Sequence, residues 1–125
     1  MDNVKFIYLY RDGGNYKKWA EVVFSNPDKL SVESITRALR RSFLQDGLFI
    51  ARQIRLPEAF LFGRGEATSD DHCFHEFDHI EPSPELPNDS PARSISAFLA
   101  EVENEAKRGW KAFDPHDVWL ERLVN

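Results

Sequence analysis

The chain has 125 residues, 42% of them apolar and 13% aromatic, and a net charge of −5. That length suits one domain burying roughly two-thirds of its unfolded surface, and the aromatic content excludes disorder throughout. With Cys73 the single cysteine, no intramolecular disulfide exists, and no apolar run approaches the roughly 18 residues of a membrane helix.

Residues 5–11 (KFIYLYR) read as a first strand, with Phe6, Tyr8 and Tyr10 on one face and Ile7 and Leu9 on the other. The N-terminal stretch has no cleavage-site pattern, so it is expected to be structure rather than a signal peptide, and the protein to be cytoplasmic. Asp12-Gly13-Gly14-Asn15 is a turn, and residues 19–25 (WAEVVFS) form a second strand stopped by Asn26-Pro27. A helix comes next. Ser31 suits its N-cap, Glu33 its first turn, and Val32, Ile35, Leu39 and Phe43 recur at helical spacing. Gln45-Asp46-Gly47 ends it.

Residues 48–56 (LFIARQIRL) look like a third strand closed by Pro57, and Phe60-Leu61-Phe62 like a short fourth. Gly63 to Ser69 is a loop, and His72 to Ile80 the fifth strand candidate. Residues 81–93 hold four of the seven prolines and read as a surface-hugging loop. Ser94 opens an amphipathic helix with Ile95, Phe98, Leu99, Val102 and Ala106 on one face. Gly109 suits its C′ position, with Trp110 as packing partner, and Asp114-Pro115 starts a last short helix carrying Val118, Trp119, Leu120 and Leu123. The order β-β-α-β-(β)-β-α-α implies an α+β domain over 1–125: a mainly antiparallel sheet of four to five strands with two or three helices on one face.

Chemistry-bearing residues concentrate between Asp70 and His79, which hold three of the four histidines, the only thiol and four carboxylates. As catalytic candidates this segment offers His72, His75 and Glu76; as metal ligands, His72, Cys73, His75 and His79. In an extended strand Cys73, His75, Phe77 and His79 share one face, and His72, Phe74, Glu76 and Asp78 the other. Residues two apart are then about 6.6 Å apart, so any ligand shell needs donors from other strands. In a helix, by contrast, His72, His75 and His79 would line one side. Neither HExxH, HxxEH nor CxxC is present, so no cofactor is expected, with a divalent metal as the lesser alternative. His116 reads as a surface or capping residue, and Gly63-Arg64-Gly65 lacks the lysine and helix start of a phosphate loop.

A second candidate site is a ligand-binding set of arginines, Arg37, Arg40, Arg41, Arg52 and Arg55. The negative net charge and the lack of a binding motif disfavour nucleic acid as their target. Charge is uneven along the chain. Residues 1–64 carry eleven Lys/Arg against seven Asp/Glu (+4), and residues 65–125 carry five against fourteen (−9). The acidic half points to a protein partner with a basic surface. No membrane contact is expected, and the oligomeric state is not encoded in any pattern.

Residues 16–27 (YKKWAEVVFSNP) and 70–77 (DDHCFHEF) resemble a family of short uncharacterised bacterial and phage proteins, over about residues 5–80. The resemblance implies a stand-alone bacterial or phage protein and attaches no activity to any position. The expectation is therefore a small binding protein acting by protein–protein contact, of inhibitor, immunity or accessory type. The alternative is a small enzyme or ligand-binding module built on His72, His75, Glu76 and His79.

Overall fold

Alternating apolar residues in the first segment and its partner build the centre of a four-stranded antiparallel sheet. The computed structural model describes residues 2–61, 67–117 and 120. Its sheet comprises β1 (Asn3–Arg11), β2 (Lys17–Phe24), β3 (Leu48–Phe49) and β4 (His75–Ser83), in the order β2-β1-β4-β3. Two helices, α1 (Val32–Ser42) and α2 (Ile95–Arg108), cover one face, which makes the architecture α+β. Phe6, Tyr8, Phe24, Phe77 and Ile80 from the sheet meet Ile35, Leu39, Phe98 and Val102 from the helices in one core cluster. Phe6 is its hub, with the rings of Tyr8, Phe43, Phe49, Phe77 and Phe98 all within 6.3 Å, centroid to centroid.

Both helices start where the capping chemistry places them. The Ser31 hydroxyl accepts from Ser34 N–H and the Ser94 hydroxyl from Ala97 N–H. Gly109, at φ 98°, closes α2, and Trp110 folds back so that its Nε1 donates to the Ser42 carbonyl at 3.0 Å. Ser96 Oγ donates to Asp28 at the other end. The two helices therefore lie side by side, with their N-termini at one end and their C-termini at the other.

Three expectations need correction. The third strand is two residues long, not nine. After Phe49 the chain turns into a 3-10 helix over Ala51–Ile54, and Arg55 adopts a left-handed conformation at φ 57°. Packing is the reason: Phe49, Ile50, Ala51, Ile54 and Leu56 are all buried, and the 3-10 turn brings residues from both faces of the expected strand into the core. In the Phe60-Leu61-Phe62 stretch, Phe60 is irregular and Leu61 begins a 3-10 turn, while Phe62 lies outside the described residues. The fifth strand candidate starts at His75 and runs through Pro82 to Ser83. A proline is tolerated there because, among the described residues, β3 pairs only with His75 and Glu76 and leaves the rest of that edge without a ladder. Of the last helix, residues 115–117 are helical behind Asp114, whose Oδ1 accepts from His116 N–H; Val118, Trp119 and Leu123 lie outside the described residues.

The proline-rich loop hugs the surface, and it also blocks a sheet edge. Asn88 brackets Val23 on the outer side of β2: its Oδ1 accepts from Val23 N–H at 2.8 Å, and its N–H donates to Val23 O at 3.0 Å. Arg93 pins the end of the loop. Its guanidinium pairs with Asp89 at 2.8 Å and donates to the Ile54 carbonyl at 2.7 Å, all buried. Covering the edge removes a template for pairing with other chains.

Candidate functional site

The Asp70–His79 segment begins as a tight loop. Thr68 N–H donates to Asp71 Oδ2 at 2.9 Å, and Gly13 N–H, from the β1–β2 turn, donates to the Asp70 carbonyl at 2.8 Å. Tyr10 on β1 then anchors Asp71 and His72 together. Its hydroxyl donates to Asp71 Oδ1 at 2.6 Å and accepts from His72 N–H at 3.2 Å. Burial is the main reason that the Tyr10 hydroxyl ionises well above its usual range, with the Asp71 hydrogen bond adding to it.

His72 has both ring nitrogens engaged. Nε2 lies 2.6 Å from the Arg11 carbonyl, which can only accept, so the proton sits on Nε2. Nδ1 then accepts from Phe74 N–H at 3.0 Å. The ring packs 5.1 Å from that of Tyr10.

His75 is fully buried on β4. Its Nε2 accepts from Ala59 N–H at 2.8 Å, which puts the proton on Nδ1, and Nδ1 has no hydrogen-bond partner among the described residues. The rings of Tyr8, Tyr10, Phe49 and Phe60 surround it, Phe60 at 4.8 Å. Burial, reinforced by nearby His72, lowers its pKa to about 3, so the imidazole is neutral at physiological pH. Cys73 nearby in the chain is buried, its thiol free.

Glu76 points to the other face and takes Arg11 in a two-pronged pair, at 3.0 and 3.2 Å. His79 is where strand geometry departs from simple alternation. Ile7 pairs with His79 but Tyr8 pairs with Phe77, so Asp78 is an extra residue in a β-bulge. The bulge turns His79 away from the face of His75 and Phe77 into an exposed position, where Nδ1 meets Asp78 at 2.5 Å and Nε2 meets Glu81 at 3.2 Å. The Asp78 hydrogen bond is the chief reason that its pKa is raised. The expected grouping of Cys73, His75 and His79 is thereby broken. Among the described residues no three His, Cys, Asp or Glu side chains converge in a metal-binding arrangement. His72 and Glu76 do share a small cavity, of about 210 Å³, with Arg11, Asp12, Leu48 and Phe74.

The five arginines separate into two kinds. Arg52 pairs with Glu58 and lies 4.1 Å from the centre of the Phe113 ring, and Arg55 pairs with Glu101 at 2.5 Å. Arg37, Arg40 and Arg41 on α1 are exposed, and none makes an ion pair among the described residues. Arg40 lies over the Phe77 ring at 5.0 Å, while Arg41, with Arg37 one turn earlier on the same flank, borders the space between the helices. That space is an open groove of about 650 Å³, floored by Leu30, Ala38, Leu99 and Ala100.

The chain matches no family model, no curated protein and no solved structure. Sequence reasoning misses Tyr10 and Asp71 as the organisers of the segment. It also misses the helix-pair groove, whose signal is two pairs of small residues four apart, Ala38 with Ser42 and Ser96 with Ala100.

Proposed function

We propose that this is a small binding protein that works by contact with another protein, and that α1 is part of the contact surface. The observation that supports this is the distribution of unpaired charge. Three ion pairs join the +4 and −9 halves of the chain: Arg11 takes Glu76, Lys5 takes Glu85 and Arg55 takes Glu101. Within the second half Arg93 takes Asp89, Lys107 takes Glu103 and Arg108 takes Glu105. On α1 the exposed Arg37, Arg40 and Arg41 make no ion pair among the described residues, and an acidic partner surface would match them there. Part of that charge offsets the C-terminal end of the helix dipole, but Arg37 lies too far from the helix end for that role.

The candidate catalytic groups support the same reading through their occupation. His72 uses both nitrogens within the fold, His75 is sealed among aromatic rings, and Glu76 holds Arg11. No helix among the described residues is long and apolar enough to cross a membrane. The free Cys73 thiol accords with a reducing cytoplasm. The test is affinity capture of the tagged chain from its source cell with quantitative mass spectrometry. The expected result is a stoichiometric protein partner whose association with the purified chain slows as salt rises. A chain that migrates in lysate as a free monomer, with no stoichiometric companion, contradicts it.

A further inference from the structure

We infer that the groove between α1 and α2 is the docking site of an amphipathic helix from the partner, with its carboxylates on the flank that faces α1. The inference rests on the binding-protein reading above and specifies its partner.

The groove runs between two helices whose like ends coincide, from Leu30 and Ser96 to Arg41, Ser42 and Lys107. Along α1 that is eleven residues, about 16 Å at 1.5 Å per residue, matching three turns of a guest helix. Its floor is built from small and aliphatic side chains. Ala38 and Ala100 leave room, and Leu30 and Leu99 are only partly covered although they pack against the core. Such a surface takes apolar anchors spaced at i, i+3 or i+4, and i+7 from a helix laid into it.

Charge fixes which helix. The α2 bank carries Glu103 and Lys107, which pair with one another at 3.1 Å and leave that side neutral. The α1 bank carries Arg41, with Arg37 one turn before it just beyond the lining, and neither is paired among the described residues, even though Glu33 lies one turn from Arg37. A guest helix with Glu or Asp on its α1-facing flank meets two exposed guanidinium groups that no ion pair engages among the described residues. A basic guest would meet repulsion there. Arg40 is on the opposite flank, over Phe77, and does not take part. Single-stranded nucleic acid is the poorer fit, because the open aromatic platforms that stack bases are missing from the groove lining.

The test uses a fluorescein-labelled 14-residue synthetic peptide with leucines at i, i+4 and i+7 and glutamates along one flank. One control has the same composition in scrambled order, and a second replaces every glutamate by lysine. Fluorescence anisotropy against the full chain should show binding of the acidic amphipathic peptide, weaker at higher salt. It should show at least tenfold weaker binding of both controls. Arg37→Glu with Arg41→Glu should cost at least tenfold in affinity, and Ala100→Trp, which fills the groove, should do the same. Each variant is checked for a cooperative unfolding transition within a few degrees of the wild type, and Ala100→Leu serves if the tryptophan variant unfolds early. Equal binding of the scrambled or lysine peptide overturns the proposal. So does no binding of the acidic peptide, indifference to the substitutions, or displacement of the peptide by a single-stranded oligonucleotide at similar concentration. A cellular partner that still binds the groove variants leaves the binding-protein reading standing and removes only the groove. Absence of any cellular partner removes the reading itself.

Discussion

The histidine-rich segment and the helix pair are opposite in kind. The segment holds nearly all the residue types that do chemistry, yet Asp71, His72, His75 and Glu76 are tied into the fold, to Tyr10, to the Arg11 carbonyl, to Ala59 N–H and to the Arg11 side chain, and only its ends at Asp70, Asp78 and His79 are exposed. The helix pair holds ordinary residues, yet it leaves arginines uncommitted beside an open groove. Density of reactive side chains marks where a fold has backbone and buried polar groups to satisfy. A surface made for another molecule is marked by groups left unsatisfied.

The strongest way to break that comparison is to remove His75. His75→Ala would leave a cavity within the aromatic cluster and strand the Ala59 N–H, and it should cost about 3–5 kcal/mol in urea unfolding. A cost below about 1 kcal/mol would mean that the ring is not structural.

Acid tests the same residue more gently. Its pKa is about 3 in the fold and near 6.5 in the unfolded chain, so the unfolded state binds the extra proton between those values. Its neutral form therefore contributes fully above pH 6.5, and stability falls as pH drops from 6.5 toward 3, by up to about 1.4 kcal/mol per unit. The titratable groups facing it are His72, Tyr8 and Tyr10, and the two phenols stay protonated throughout. His79 acts in the opposite sense: with its pKa raised, its contribution is complete below pH 6.5 and is lost on the alkaline side. Unfolding midpoints are measured from pH 6.5 to 5, above the range of most carboxylates. His75→Phe, which keeps the ring volume, should flatten that slope.

Milder substitutions sharpen the contrast. Glu76→Gln frees Arg11 at a half-exposed site and should lower the thermal midpoint by a few degrees at most. Arg37→Ala and Arg41→Ala should leave it unchanged within error by differential scanning calorimetry, because neither side chain is tied to the fold.

How much of this was legible in the sequence depends on the range of the interaction involved. The first two strands and both helices are encoded locally, in alternation over residues 5–11 and in the serine caps Ser31 and Ser94, and they form where expected. The third strand falls short of its expected length because LFIARQIRL satisfies a period of two and a helical turn about equally; packing of Ile50, Ala51 and Ile54 decides for the turn. The bulge at Asp78 carries no glycine or proline signal, so the reversal of His79 is invisible in the sequence. The residue types of the candidate site are plain, but their partners are not. Tyr10 is 61 residues from Asp71, and Ala59, which anchors His75, contributes only its backbone.

One comparison of affinities tests the account most directly. With the captured partner in hand, its dissociation constant is measured for the wild type, for Arg37→Glu with Arg41→Glu, and for Glu76→Gln, alongside the thermal midpoint of each. The account predicts that the arginine variant loses at least tenfold in affinity while its midpoint falls by no more than a few degrees, and that Glu76→Gln loses some stability and keeps its affinity. An arginine variant that binds as the wild type does, or a Glu76→Gln variant that loses affinity while remaining folded, would place the function in the histidine segment and contradict it.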